Sequence, residues 1–71
     1  MDISRLYEFL NLAMTLSFTK SAANLNMSQP TLSRHIADLE KELKTELFVR
    51  SGNQLHLTAY GELAIVPQLS F

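Results

Sequence analysis

A small, mostly α-helical domain with one short β-hairpin is the fold class that this 71-residue sequence predicts. The apolar fraction of 46%, with only two glycines and two prolines, favours a compact helical domain over a disordered chain. Apolar residues recur at intervals of three and four along much of residues 3–43. A turn sequence, Ser51-Gly52-Asn53, then separates two short apolar stretches, as expected for a hairpin.

Two helices are predicted in the first third of the chain. The first covers residues 3–16, with an apolar face formed by Ile3, Leu6, Phe9, Leu10, Ala13 and Leu16. The second is short, with Ser17 as a plausible N-cap and apolar positions at Phe18, Ala22 and Leu25. Asn26 is expected to end it, because asparagine tolerates a left-handed backbone better than most residues do.

A third, longer helix is predicted from Ser28 to about Leu43. Ser28 can cap it, and Pro30 falls in the first turn, where its missing N–H costs nothing. Met27 and Leu32 have the spacing of a hydrophobic staple. Four apolar residues lie within a narrow arc and are expected to hold this helix to the domain: Leu32, Ile36, Leu39 and Leu43.

The remainder predicts a β-hairpin over about residues 47–57, followed by a fourth helix. Leu55 and Leu57 alternate with polar residues, as in a half-buried strand. Thr58 can cap a helix that begins near Ala59. An interruption or kink is expected close to Pro67.

Two helices joined by a tight turn and followed by a two-stranded wing form a winged helix-turn-helix, with the helix-turn-helix over about residues 18–37. The first helix of that motif needs small residues where the helices cross, and Ala22 and Ala23 supply them. The polar side of the third helix then suits a major groove, since glutamine and arginine side chains match the base edges of adenine and guanine.

The charge distribution is compatible with a nucleic-acid partner. The formal net charge of −1 argues against indiscriminate binding of polyanions. However, the stretch between Glu8 and Asp38 holds no acidic residue. Lys20 and Arg34 lie inside this stretch, and a phosphate-binding surface needs only local positive charge.

The chain resembles the N-terminal DNA-binding domain of LysR-type transcriptional regulators. The matching segments, in order, are "FLNLAMTLSFTKSAANLN", "SQPTLSRHIADLEKEL", "LFVR" and "LTAYGE", and they lie within residues 3–62. The resemblance implies a bacterial-type transcription factor that binds double-stranded DNA as a dimer or tetramer. It also implies that residues 1–58 form the winged helix-turn-helix DNA-binding domain and that residues 59–71 are the start of a linker helix. In the family, a C-terminal domain senses a small-molecule inducer.

The resemblance also implies roles for individual residues. Base contacts are expected from Gln29, Pro30, Ser33 and Arg34. Contacts with the DNA backbone are expected from Ser17, Thr19, Lys20, Ser28, Thr31 and Arg50. The wing offers three further candidates, Asn53, Gln54 and His56.

Three departures from the family pattern carry expectations. Lys44 stands where the family usually has glycine, so the third helix is expected to run on or fray at its end. Asn53 stands where the wing usually carries a basic residue, so wing contacts with DNA are expected to be weaker. The chain stops at Phe71, before most of the linker helix, so dimerisation of these residues is expected to be weak or absent.

Several residues have simpler explanations. His35 and His56 lack a second ligand at metal spacing, so a structural or solvent-exposed role is expected for each. The acidic residues within 38–46 are expected to form a solvated face turned away from DNA. The core is expected to contain the leucines together with Phe9, Phe18 and Phe48.

Other function classes have less support. The sequence has no cysteine, no clustered histidine and carboxylate set, and no glycine-rich phosphate loop, so no catalytic residue, metal site or cofactor is expected. No apolar run approaches the roughly 20 residues that cross a bilayer, and a cytoplasmic location is expected. The alternative to DNA binding is a truncated interaction module that heterodimerises with a related regulator. Binding that weakens steeply with salt would favour DNA binding over this alternative.

Overall fold

The computed structural model describes the backbone of residues 3–69 and the side chains of residues 3–64. Three helices are followed by an antiparallel hairpin and a further helix, which confirms the predicted winged helix-turn-helix. The elements are α1 (Ile3–Thr15), α2 (Phe18–Asn24), α3 (Gln29–Leu43), β1 (Phe48–Ser51), β2 (Gln54–Leu57) and α4 (Ala59–Leu69). Helices α2 and α3 form the helix-turn-helix, and α3 ends at Leu43, where the sequence predicts the end of the third helix.

The buried face of α1 differs in part from the predicted one. Phe9 and Leu12 are almost completely buried, as expected for core residues, although Leu12 was not placed on the predicted apolar face of this helix. Ile3 is 68% exposed, so its predicted place on the buried face was wrong. The helical period explains the difference, because Ile3 and Leu12 are nine residues apart and so lie on opposite sides of the helix. The prediction for Leu16 was also wrong, since this residue follows α1 with φ 53° and is 40% exposed.

Local capping determines where α2 begins and ends. The Ser17 side chain accepts a hydrogen bond from the Lys20 amide at 3.2 Å, which confirms its predicted role as N-cap. Asn26 has φ 59°, as expected for the residue that reverses the chain after this helix. Of the two alanines expected at the helix crossing, Ala22 is buried whereas Ala23 is exposed. Ser21 is also fully buried, and its hydroxyl lies 2.6 Å from the hydroxyl of Thr15 at the end of α1.

Helix α3 lies across α1 and α2 with one apolar side facing the core. The Ser28 hydroxyl accepts from the Thr31 amide at 3.2 Å, and Pro30 occupies the first turn, both as predicted. The residues that we call the buried stripe, Leu32, Ile36 and Leu39, are 0–3% exposed. Leu43 is 40% exposed, so the expectation that it anchors the helix was wrong and the buried stripe ends at Leu39.

The end of α3 corrects the expectation about Lys44. Helix α3 stops at Leu43 without running on, because Lys44 adopts the left-handed conformation at φ 57° and ψ 37°. Its amide donates to the carbonyl of Lys41 at 3.2 Å, and the Thr45 amide donates to the carbonyl of Glu40 at 3.1 Å. These bonds satisfy helix-end carbonyls in the way that a glycine cap does. A lysine therefore serves as the cap despite its unfavourable backbone angle.

The wing consists of β1, β2 and the turn between them, residues 48–57. Gly52 has φ 63° in this turn, a conformation that glycine adopts readily. Phe48 anchors the wing to the core, since its ring lies 5.6 Å from that of Phe9 in an edge-to-face contact. The paired residues are Phe48 with Leu57, Val49 with His56, Arg50 with Leu55 and Ser51 with Gln54.

Helix α4 starts at a tight junction with the strand preceding it. The Thr58 hydroxyl accepts from the Gly61 amide at 3.1 Å, which confirms the predicted cap. A Cβ atom on Gly61 would collide with the carbonyl oxygen of Leu47, so glycine allows the close approach here. The helix continues through Pro67 to Leu69, so the expected interruption near Pro67 is not observed. None of the helices within residues 3–69 is long and apolar enough to cross a membrane.

The left-handed cap yields a test of the helix end. Replacing Lys44 with glycine should raise the free energy of unfolding by about 1 kcal/mol, because glycine adopts this conformation without the steric cost that a Cβ imposes. Urea denaturation monitored by circular dichroism measures the change. The control is Lys44→Ala, which removes the charge and retains Cβ. Equal stabilisation by both substitutions would contradict the conformational explanation.

Candidate nucleic-acid interface

The four residues predicted to contact bases lie in the first half of α3, with Gln29 at its N-terminal tip. Gln29, Pro30, Ser33 and Arg34 are all exposed, and we call them the reading face. At 100° per residue, Arg34 lies about 170° from the centre of the buried stripe. Burial of that stripe therefore turns Arg34 towards solvent. The reading face occupies the first half of α3, next to its N-terminus.

A groove separates the N-termini of α2 and α3 from the wing. Its volume is about 320 Å³, and none of its lining residues is acidic. Six residues that were predicted to contact DNA line it: Ser17, Thr19, Gln29, Arg50, Asn53 and Gln54. The fold thus brings three separate segments of the sequence to one concave surface, and Gln29 belongs to both the groove and the reading face.

Arg50 is held in this groove by an aromatic ring. Its guanidinium carbon lies 5.2 Å from the centre of the Phe18 ring. Such a cation–π contact contributes about 0.5–1 kcal/mol at an exposed site. Phe18 was predicted to be core, but it is only partly buried, and its ring supports Arg50 at the edge of the core. The contact connects the wing with the start of α2.

The other predicted contact residues lie outside the groove lining. Lys20 is exposed on α2, and His56 is exposed on β2. Ser28 and Thr31 are occupied in part by the helix cap, because the Ser28 hydroxyl donates to the Thr31 hydroxyl at 2.7 Å. The cation of Lys20 takes no part in these caps and remains suitable for phosphate contact.

Glu40 has a role that the sequence interpretation missed. One of its carboxylate oxygens accepts hydrogen bonds from the backbone amides of Leu47 at 2.7 Å and Phe48 at 3.1 Å. The expectation that all the acidic residues within 38–46 form a solvated face is therefore wrong for Glu40. Its bonds fix the start of the wing against α3. The one sequence feature that could have indicated this role is that Glu40 directly follows Leu39 of the buried stripe.

A second missed carboxylate lies between α1 and α3. Glu8 is 5% exposed, and Arg5 and His35 both contact its carboxylate. The sequence predicted either a structural or a solvent-exposed role for His35, and its contact with Glu8 is structural. The pairing could not be foreseen, because Glu8 and His35 are 27 residues apart in the chain.

The comparisons with known proteins identify the family. Residues 3–62 match the family model described as bacterial regulatory helix-turn-helix protein, lysR family. The chain belongs to this family. An uncharacterized HTH-type transcriptional regulator of Bacillus subtilis (strain 168), YwbI, is 51% identical over 57 residues, which are 80% of this chain and 19% of that protein. The chain spans about a fifth of the length of this and other curated relatives.

Solved structures of LysR-family proteins have the same fold. A crystal structure of a LysR-family transcriptional regulator from Eggerthella lenta DSM 2243 matches over the full length of both chains, with 37% identity and a TM-score of 0.89. A complex of the BenM DNA-binding domain with catB site 1 DNA matches 99% of this chain and 81% of that one, with 34% identity and a TM-score of 0.87. This LysR-family chain thus has the winged helix-turn-helix fold of such domains.

The Glu40 contact yields a test of the wing's attachment. Replacing Glu40 with glutamine should lower the free energy of unfolding by about 1–3 kcal/mol, because hydrogen bonds to a carboxylate are stronger than those to a neutral amide. Chemical denaturation measures this loss. The matched control is Glu46→Gln, at an exposed side chain, which should change stability by less than about 0.5 kcal/mol. A similar loss in both variants would contradict the assignment.

Proposed function

We propose that this LysR-family domain binds double-stranded DNA sequence-specifically, with α3 in the major groove and the wing beside it. The groove that joins Gln29 at the tip of α3 with Arg50 of the wing carries the proposal. A DNA-bound domain of similar fold, the BenM complex with catB site 1 DNA, supports the proposal. It also favours DNA binding over the alternative of a heterodimerising interaction module.

The reading face has the chemistry needed for base recognition. The glutamine side-chain amide can donate a hydrogen bond to adenine N7 and accept one from the adenine N6 amino group. The arginine guanidinium can donate to both O6 and N7 of guanine. Gln29 and Arg34 are the residues proposed for these two contacts. Pro30 and Ser33 are compact, so they allow the helix to approach base edges and thymine methyl groups closely.

Backbone contacts would hold the domain in register on the duplex. The hydroxyls of Ser17, Thr19, Ser28 and Thr31 are the groups proposed to contact phosphate oxygens. Lys20 and Arg50 supply positive charge, and the cation–π contact with Phe18 restrains Arg50 in the absence of DNA. Preorganisation of this kind lowers the entropy lost on binding.

Further features follow from the family and are proposed with the function. Binding as a homodimer or higher oligomer is expected for a full-length regulator, with a small-molecule inducer acting through a separate C-terminal domain. A cytoplasmic location and a non-enzymatic role agree with the regulatory names of the relatives. The linker helix would begin in α4.

Selection from a randomised DNA library with the purified domain tests the proposal. The expected result is an enriched motif, with affinity that falls steeply as salt concentration rises. Recovery of no motif at low salt would overturn sequence-specific binding. Salt-insensitive heterodimerisation with a related regulator, without DNA binding, would instead support the interaction module.

The first prediction from this proposal concerns Gln29. Replacing it with alanine should relax base preference at one or two positions of the motif, with a loss of about 1–3 kcal/mol on the preferred sequence. Repeating the selection with the variant measures the change. The control is Asn24→Ala, an exposed amide on α2 outside the groove lining. An unchanged motif in the Gln29 variant would refute its assignment as a base contact.

The second prediction concerns Lys20. Replacing it with alanine should weaken binding to all duplexes alike and reduce the slope of log affinity against log salt by about one unit, because one phosphate contact is lost. Titrations at several salt concentrations measure the slope. Lys41→Ala, an exposed lysine in the last turn of α3, serves as the control and should leave the slope unchanged. A loss confined to one sequence would contradict the phosphate role.

A further inference from the structure

Polar contacts hold α3 on both sides of its buried stripe. At 100° per residue, His35 lies about 70° to one side of the stripe's centre and Glu40 about 70° to the other. His35 contacts Glu8 of α1, and Glu40 accepts from the backbone at the start of the wing. The two contacts therefore hold opposite edges of the same helix face, and Pro30 and Arg34 of the reading face lie on the far side of the helix.

The contact with α1 is partly buried, and both carboxylate oxygens of Glu8 accept hydrogen bonds in it. His35 Nδ1 lies 3.1 and 3.2 Å from the two carboxylate oxygens of Glu8, and because a carboxylate only accepts, Nδ1 is the donor. Arg5 Nη1 donates to the same two oxygens at 3.2 Å each. The side chain of Glu8 is 7% exposed and that of His35 is 18% exposed. A carboxylate this buried needs such donors, since leaving it unpaired is costly.

Directional contacts restrain a helix in a way that apolar packing does not. Burial of the stripe is roughly proportional to area and has no preferred direction, so it tolerates a small roll of α3 about its axis. A hydrogen bond weakens steeply when its angle departs from linearity. With a helix radius of about 5–6 Å, a roll of about 20° moves the exposed surface by about 2 Å. Bidentate pairing with a base edge does not survive a displacement of that size.

We propose that His35 and Glu8 are positioning residues that set the rotation of α3 for base readout. They do so together with Glu40, which restrains the opposite edge of the helix. The proposal rests on the DNA-binding function proposed above, and it assigns to His35 no contact with DNA. Removal of the pair should therefore reduce discrimination between sequences while leaving phosphate-mediated affinity largely intact.

The experiment replaces both members of the pair, because a lone buried carboxylate could unfold the domain. The double variant Glu8→Leu with His35→Leu exchanges the buried polar pair for apolar side chains, a change that folded proteins often tolerate. The ratio of affinities for the selected motif and for an unrelated duplex is measured where circular dichroism shows the variant fully folded. This ratio should fall by about fivefold or more. His35→Asn, whose Nδ2 stands in the place of Nδ1 and retains a donor for Glu8, should keep most of the wild-type ratio.

Residual dipolar couplings of the α3 amides in the free protein provide a second readout that does not depend on DNA. In the double variant, the couplings of α3 should no longer fit the wild-type orientation of this helix. The couplings of α1 and α2 should still fit the wild-type orientations of those helices. The matched control is Asn11→Ala with Asn24→Ala, which removes an exposed 3.4 Å hydrogen bond between α1 and α2. It should change neither the affinity ratio nor the couplings of α3.

The outcomes separate this inference from the proposed function. A folded double variant with the wild-type affinity ratio and unchanged couplings would overturn the positioning role. Failure of the wild-type domain to bind any DNA would overturn the proposed function, and the couplings would still decide whether the pair sets the orientation of α3.

Discussion

The one-sided burial of α3 is the constraint on which the rest of this structure depends. Leu32, Ile36 and Leu39 are the parts of this helix that the core removes from water, and they share one narrow side. Burying that side against α1 and α2 leaves the opposite side in solvent whatever residues it carries. Hydrophobic packing therefore determines that the polar side of α3, which includes Arg34, faces solvent in the absence of any partner.

The wing depends on the same helix through polar contacts of a different kind. Glu40 holds the amides of Leu47 and Phe48, and Phe48 then packs edge-to-face on Phe9 of the core. The guanidinium of Arg50, in the wing, packs over the ring of Phe18 at the start of the helix-turn-helix. These contacts bring the hairpin alongside α3 and so create the groove. The lysine cap at the end of α3 does not prevent this arrangement, because Glu40 lies one turn before it.

The parts of the fold that could be predicted are those governed by neighbours in the sequence. Ser17, Ser28 and Thr58 cap helices through bonds to amides three residues ahead, and such caps can be recognised from residue type and position. The errors share a different cause. Leu43 has the spacing of a buried residue, yet burial also requires a neighbouring element at that point. Lys44 shows that tertiary contacts and cap bonds can impose a backbone conformation that a residue's own preference disfavours.

The sequence by itself determined the order of the elements, the buried stripe and the exposed polar residues of α3, because helical period and capping act within a few residues. Tertiary structure decided which distant polar groups meet. Glu8 and His35 are joined across 27 residues, and the groove unites the start of α2, the tip of α3 and the wing. Hydrogen bonds and cation–π contacts are directional and effective only at short range, so the folded path of the chain decides which of them form.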